Sequence, residues 1–328
     1  MLRRLVLIVV TSVLQSTGAG AQPSSAGPGQ AYPVKPVRMI VAFPAGGPVD
    51  ILARVIAPKV ADGLGQQVIV DSRPGANGNI GGEVVARAPA DGYTMMLVVS
   101  SFATNPHLYA KQPFDPLNDF APVTLLTSAP LLLTAHPSLP AKSVKELVAL
   151  AKSRPGALNC SVAGGGSGGH LALELFKSMA TINIVAIPYK GCAAAIVEAI
   201  GGQVQLTINN PLALLPHIKS GKLRALGTSS LQRLIAAPEI PTIAEAGLPG
   251  YEAALWYGIV LPAKSSPALV ARLNAEFVQV IQQPDVRERL NAEGVQIIGS
   301  TPEQFAEHLR RESAKWGKVI RDANIRLD

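Results

Sequence analysis

The chain has 328 residues, 48% of them hydrophobic, 16% charged and 5% aromatic, with a formal net charge of +7. That exceeds what one hydrophobic core usually fills, so one large or two medium domains are expected, and so much apolar surface with so little charge excludes a disordered chain. Glycine and proline without period exclude collagen and coiled-coil forms, and two cysteines exclude a disulfide framework, leaving at most one bridge, Cys160 to Cys192.

In chain order, Arg3-Arg4 precede the apolar run LVLIVVTSVL, and Ala19-Gly20-Ala21 follows. Basic flank, short apolar core and small-x-small site predict a signal peptide over 1–21, cleaved near Ala21, then a flexible leader over 22–31. No later run of about 18 apolar residues follows, so an exported, soluble mature chain is expected. Lys and Arg gather on no single face, which argues against nucleic acid, whereas the mild positive charge suits an anionic ligand.

VRMIVAF (37–43), QQVIVDS (66–72) and YTMMLVVSS (93–101) read as strands separated by Gly-rich turns and helices, the βαβ pattern of a parallel sheet. Pro58 should kink the first helix. The pattern restarts at TLLTSAPLLLTAH (124–136), followed by a helix that Ser143 and Glu146 cap. LNCSVA (158–163), INIVAIPY (182–189), VQLTIN (204–209) and LRALGTS (223–229) predict a second sheet. ALWYGIVLP (254–262) is a further strand, and the C-terminal segment is helical, with Phe305, Leu309, Trp316 and Ile320 on one face. Two α/β sets predict two lobes, with 124–136 and 254–262 as crossings and a ligand cleft beyond the carboxyl ends of the strands.

The loop Gly164-Gly165-Gly166-Ser167-Gly168-Gly169, ahead of His170, lies between a strand and a helix. Backbone N–H groups at a helix N-terminus hold anions, and glycine admits a ligand close to the backbone. The same residues fit G-x-S-x-G, a hydrolase elbow using Ser167, and G-x-G-x-x-G, a dinucleotide loop. Three glycines between strand and serine speak against the elbow, and the next strand ends in Tyr189-Lys190 instead of an acid, against the dinucleotide loop. Pro44-Ala45-Gly46-Gly47 is the matching loop of the first lobe, with Asp50 favouring the helix start. Asn77 and Asn79 either face the cleft or serve as turn residues, and Trp256 and Tyr257 line it or pack in the core. No histidine spacing suits a metal, and no nucleophile has an adjacent base.

The segments AFPAGGPVDILAR (42–54), VDSRPGANGNIGGEVVARAPADGYT (70–94), the Gly/Ser loop with His170, PYKG (188–191), GGQVQL (201–206), GKLRALGTSS (221–230), PTIAEAGLPGYEA (241–253) and WGKVIRDANIRLD (316–328) together resemble one family. It is that of the periplasmic solute receptors of tripartite tricarboxylate transporters, the Bug proteins. The resemblance implies an α/β, two-lobe periplasmic-binding-protein fold, a type II-like Venus flytrap. Lobe 1 would be residues 32–128 and 254–328, and lobe 2 residues 129–253. It implies a monomer without cofactor or metal that binds a small carboxylate and hands it to membrane permease subunits. The implied first-lobe contacts are Phe43, Pro44, Ala45, Gly46, Gly47, Ser100 and Ser101. The second-lobe contacts are Gly164, Gly165, Gly166, Ser167, Tyr189, Lys190, Gly191 and Asn209. The chain departs from the family at Gln205 and Asn209, where relatives often carry acids, and in the extra glycine of its Gly/Ser loop. A neutral Asn209 in the cleft disfavours a ligand ammonium group.

Overall fold

The computed structural model describes residues 32–292 and 294–327, so the expected signal peptide and leader lie outside the described residues. In chain order the strands are β1 (Val37–Val41), β2 (Val68–Ser72), β3 (Thr94–Val99), β4 (Phe120–Pro130), β5 (Leu132–Ala135), β6 (Asn159–Val162), β7 (Val185–Pro188), β8 (Leu206–Asn209), β9 (Arg224–Thr228), β10 (Ala254–Pro262) and β11 (Gln296–Ile297). The helices are α1 (Pro48–Leu64), α2 (Asn79–Ala86), α3 (Ser101–Leu108), α4 (Val144–Ser153), α5 (Gly168–Ala180), α6 (Cys192–Ile200), α7 (Pro211–Lys219), α8 (Pro267–Ile281), α9 (Pro284–Ala292) and α10 (Pro302–Asp322).

Two sheets result, one in the order β11-β4-β10-β3-β1-β2 and one in the order β7-β6-β8-β5-β9. β1 pairs parallel with β2 and β3, and β6 parallel with β7 and β8, as the βαβ reading requires. β10 is antiparallel between β3 and β4, and β5 antiparallel between β8 and β9.

The stretch 124–136 does cross between sheets. Pro130 has no N–H, and the backbone of the next residue, Leu131, leaves the ladder: its N–H donates to Ser229 Oγ and its carbonyl accepts from Ser229 N–H, both at 2.8 Å. The second crossing is not 254–262, which lies wholly in the first sheet as β10. It is residues 229–253, tied in by Ser229 Oγ donating to the Ala253 carbonyl and Ala253 N–H donating back to Ser229 O. Only tertiary pairing distinguishes two such apolar runs.

Local signals set most of the helices. Ser143 Oγ caps α4 by accepting from Glu146 N–H, and Thr301 with Gln304 closes a capping box on α10. α1 continues through Pro58 to Leu64. α3, α7 and α9 escape the pattern reading: Pro106 lies inside α3, Pro216 inside α7, and α9 is short and largely polar.

The expected apolar face of α10 is real but serves two cores. Phe305 and Leu309 join Trp256 and Phe102 against the first sheet, while Trp316 and Ile320 join Leu171 and Phe176 against the second. Both cysteines are free, Cys160 in the interior and Cys192 at the start of α6.

Trp256 is a core residue. Its indole N–H donates to Glu312 Oε2 at 3.2 Å, and Trp316 donates to the same oxygen at 2.7 Å. Lys315 Nζ sits 2.5 Å from the other oxygen. His308 packs edge-on against Trp256 at 5.2 Å, and burial, only partly offset by the Glu312 carboxylate, pushes its pKa down to about 4. A histidine held neutral by the fold stabilises it above the unfolded pKa of about 6.5 and loses that contribution as pH falls toward 4. Urea titrations at pH 7 and pH 5 should therefore differ by on the order of 2 kcal/mol more for the native chain than for His308→Gln. Equal pH dependence of the two would refute the assignment.

Candidate functional site

Between the two sheets lies a cavity of about 220 Å³. Its walls come from the chain after β1 (Phe43), the start of α3 (Ser100, Ser101, Thr104), the start of α5 (Gly166, Ser167, Gly168, Leu171), both crossings (Leu131, Ala253) and α10 (Trp316). Asn77, Val99, Ala254 and Leu255 complete it, and none of the lining side chains is charged. A larger groove of about 540 Å³ runs along the C-terminal ends of α4, α5 and α10. There Lys177 pairs with Glu174 and Lys318 with Asp322, and no helix N-terminus points in, so it does not compete as the ligand site.

Phe43, Ser100, Ser101, Gly166 and Ser167 of the residues expected from sequence thus meet in one cavity. Gly164 and Gly165 belong to the same loop without lining it. Pro44, Ala45 and Gly46 form an exposed turn, and Gly46 N–H donates to Asp50 Oδ2 at 2.9 Å, as does Arg54 Nε at 2.8 Å. Those bonds, Arg54 first, hold the Asp50 carboxyl below its ordinary range, so Asp50 ties turn 44–47 to α1. Tyr189, Lys190 and Gly191 precede α6 outside the cavity wall. Asn209 is only 3% exposed, away from the wall, and its Nδ2 has no partner among the described residues.

Two helix N-termini therefore bound the cavity, one from each sheet. Ser100 stands at the N-cap position of α3, but its hydroxyl makes no cap bond and has no partner among the described residues, whereas Ser101 Oγ donates to the Asn77 carbonyl at 3.1 Å. Ser167 caps α5: its Oγ accepts from His170 N–H at 3.2 Å, which leaves the hydroxyl proton to donate. With the two helix dipoles behind them, both ends favour negative charge.

The glycines of loop 164–169 do something the sequence does not disclose. A Cβ on Gly168 would lie 2.2 Å from Leu255 Cδ2, on Gly169 2.8 Å from the Ile208 carbonyl oxygen, and on Gly166 2.8 Å from Leu327 Cδ1. These glycines admit neighbouring protein; close approach of a ligand is not what they are for. The Gly166 N–H is also committed, donating to His170 Nδ1 at 3.0 Å. That bond puts the His170 proton on Nε2, which faces Glu174 at 3.6 Å. Burial opposes ionisation of Glu174, but His170 and Lys177 outweigh it and keep its pKa below the ordinary value. Since Ile208 O is fixed in β8, Gly169→Ala should cost about 1–3 kcal/mol in urea denaturation, and an unchanged midpoint would disprove the close approach.

Asn77 takes a left-handed backbone, as a turn residue would, and also lines the cavity. Thr104, Leu131, Leu171, Leu255 and Trp316 carried no signal in the sequence, because they enter the site only through packing.

The description "Tripartite tricarboxylate transporter family receptor" (TctC) belongs to a family model that matches residues 52–325. The chain belongs to this family. Among curated relatives of the receptor, BugT of Bordetella pertussis is 37% identical over 323 residues, 98% of each chain. Among solved structures, Rhodopseudomonas palustris Rpa4515 with adipate is 37% identical, with a TM-score of 0.76 over 90% of this chain and 99% of that one. MatC of the same organism, with bound malate, is 31% identical with a TM-score of 0.73, covering 88% and 100%. A Polaromonas TctC solute-binding protein reaches a TM-score of 0.80 at 26% identity, covering 89% and 99%. The two-lobe periplasmic-binding-protein fold expected from sequence is thus the fold of the receptor's relatives, and the family is one of periplasmic solute-binding receptors. Among the described residues no helix is long and apolar enough to cross a membrane.

Proposed function

We propose that residues 1–21 are removed on export and that the receptor captures a small organic dicarboxylate in the periplasm. Residues 32–128 and 254–328 form one lobe, 129–253 the other, and the closed complex is handed to the transporter's membrane subunits. The observation that carries this is the pair of helix N-termini, α3 with Ser100 and α5 with Ser167, across one uncharged cavity. Each end suits one carboxylate. Neutral donors in a closed, poorly hydrated site still bind it well, because charge-assisted hydrogen bonds strengthen as water leaves. The remaining loop residues, Pro44, Ala45, Gly46, Gly47, Gly164, Gly165, Tyr189, Lys190 and Gly191, are proposed as rim contacts, and Asn209 as support behind the α5 loop.

The space between the two ends favours a hydrocarbon middle, since Phe43, Leu131, Leu171, Leu255 and Trp316 surround it. The cavity is smaller than the roughly 300–1,000 Å³ of drug-sized sites, as a small acid requires. That relatives are known with adipate and with malate supports the class. No acid lines the cavity, so an ammonium group would be buried without a counter-charge. Calorimetric titration should rank adipate above malate and above 2-aminoadipate; tighter binding of the amino acid would refute the assignment.

No catalytic role is proposed. Ser167 Oγ meets a backbone N–H, and the nearby imidazole nitrogen His170 Nδ1 is occupied by Gly166 N–H, so among the described residues Ser167 has no general base. A serine-directed covalent probe should leave Ser167 unlabelled, and labelling would revive the hydrolase reading.

A further inference from the structure

After α10 the chain turns sharply. Asn324 takes a left-handed backbone (φ 51°), Ile325 N–H donates back to Ile320 O at 3.0 Å, and the segment 324–327 is redirected toward the start of α5. There Leu327 N–H donates to the Leu108 carbonyl at 2.9 Å, at the end of α3. The Leu327 side chain lies against the ligand loop: its Cδ2 is 3.8 Å from where a Cβ on Gly165 would stand, and its Cδ1 only 2.8 Å from one on Gly166. Leu108 Cδ1 presses on the same point of Gly166, at 3.4 Å. Gly166 also needs its left-handed backbone, φ 69°, which a side chain would strain.

Gly166 is therefore gripped from two directions. From the first turn of α5, His170 Nδ1 accepts its N–H. From the other side, Leu327 and Leu108 occupy the space over its Cα. The next residue is Ser167, whose hydroxyl caps α5 and faces the cavity. A displacement of Gly166 moves that hydroxyl.

We propose that Leu327 is a positioning residue for the ligand loop: wedged against Gly166, it fixes loop 164–167 in the conformation that presents Ser167. Leu327 does not itself line the cavity; it reaches the site through Gly166, which does. The consequence for binding rests on the cavity being the carboxylate site; the fixing of the loop does not. The wedge also explains the glycine at 166, since any side chain there would expel Leu327 or deform the loop.

The test compares the full chain with Leu327→Ala and Leu327→Met. Amide exchange of the peptide covering residues 164–170, measured without ligand, should be about tenfold faster or more in Leu327→Ala and near native in Leu327→Met, which refills the space. Adipate affinity should fall about tenfold in the alanine variant and recover in the methionine variant, while exchange in β1 and β6 stays unchanged, a pattern that a general loss of stability does not give. Unaltered exchange of the loop in Leu327→Ala overturns the proposal. Faster loop exchange in a protein that does not bind adipate at all upholds the wedge and refutes the dicarboxylate reading instead.

Discussion

Ser167→Leu is expected to abolish adipate binding while the fold persists. One charge-assisted hydrogen bond is worth about 1.5–3 kcal/mol, a loss of well over tenfold in affinity, and the leucine side chain adds bulk inside a cavity of about 220 Å³. The same change removes the α5 cap, because Ser167 Oγ no longer accepts from His170 N–H. Lost caps cost about 1 kcal/mol, so the melting temperature should drop by roughly 2–4 °C without loss of cooperativity. Ser167→Thr keeps both hydroxyl functions and should bind within a few-fold of the native chain. Calorimetry at equal protein concentration decides the matter: native affinity in Ser167→Leu would remove the α5 loop from the site.

Glu312→Leu is expected to be the most destabilising single change away from the cavity. Glu312 is 4% exposed and accepts the indole N–H groups of both Trp256 and Trp316, while Lys315 pairs with its second oxygen. Leucine fills the space but leaves two buried indole donors unpaired, at about 1–3 kcal/mol each, so a loss of about 3–5 kcal/mol should appear in urea unfolding. Glu312→Gln retains an acceptor oxygen and should lose clearly less. These are the chain's two tryptophans, so intrinsic fluorescence reports the cluster directly. Because Trp316 also lines the cavity, Glu312→Leu should weaken adipate as well. A loss below about 1 kcal/mol would mean that the carboxylate is not the acceptor both indoles rely on.

Strand and helix order was largely legible in the sequence because its signals are local. VRMIV is apolar but for Arg38 and NCSV alternates polar with apolar residues, both bounded by turns, and β1 and β6 follow from them. Ser143 with Glu146 and Thr301 with Gln304 specify helix starts within four residues of chain. The Gly/Ser loop announced an anion-binding helix start for the same reason: an N-cap serine and the exposed amides of the first turn are properties of one short segment. Three helices stayed hidden where proline or polar composition breaks the 3.6-residue period.

What the sequence by itself determined is therefore the α/β class, two sets of strands and the Gly/Ser loop at the N-terminus of α5, all encoded within a few residues of chain. What only the tertiary structure decided is which apolar run crosses between sheets, the partition of α10 between two cores, and the walls of the cavity. Leu131, Leu171, Leu255 and Trp316 look like ordinary core residues in sequence, and a core residue becomes a cavity wall only when elements distant in the chain leave space beside it. The glycines at 166, 168 and 169 make the same point. Their composition suggested room for a ligand, but the atoms that require them, on Leu327, Leu255 and Ile208, lie 161, 87 and 39 residues away along the chain, a relation that no local pattern encodes.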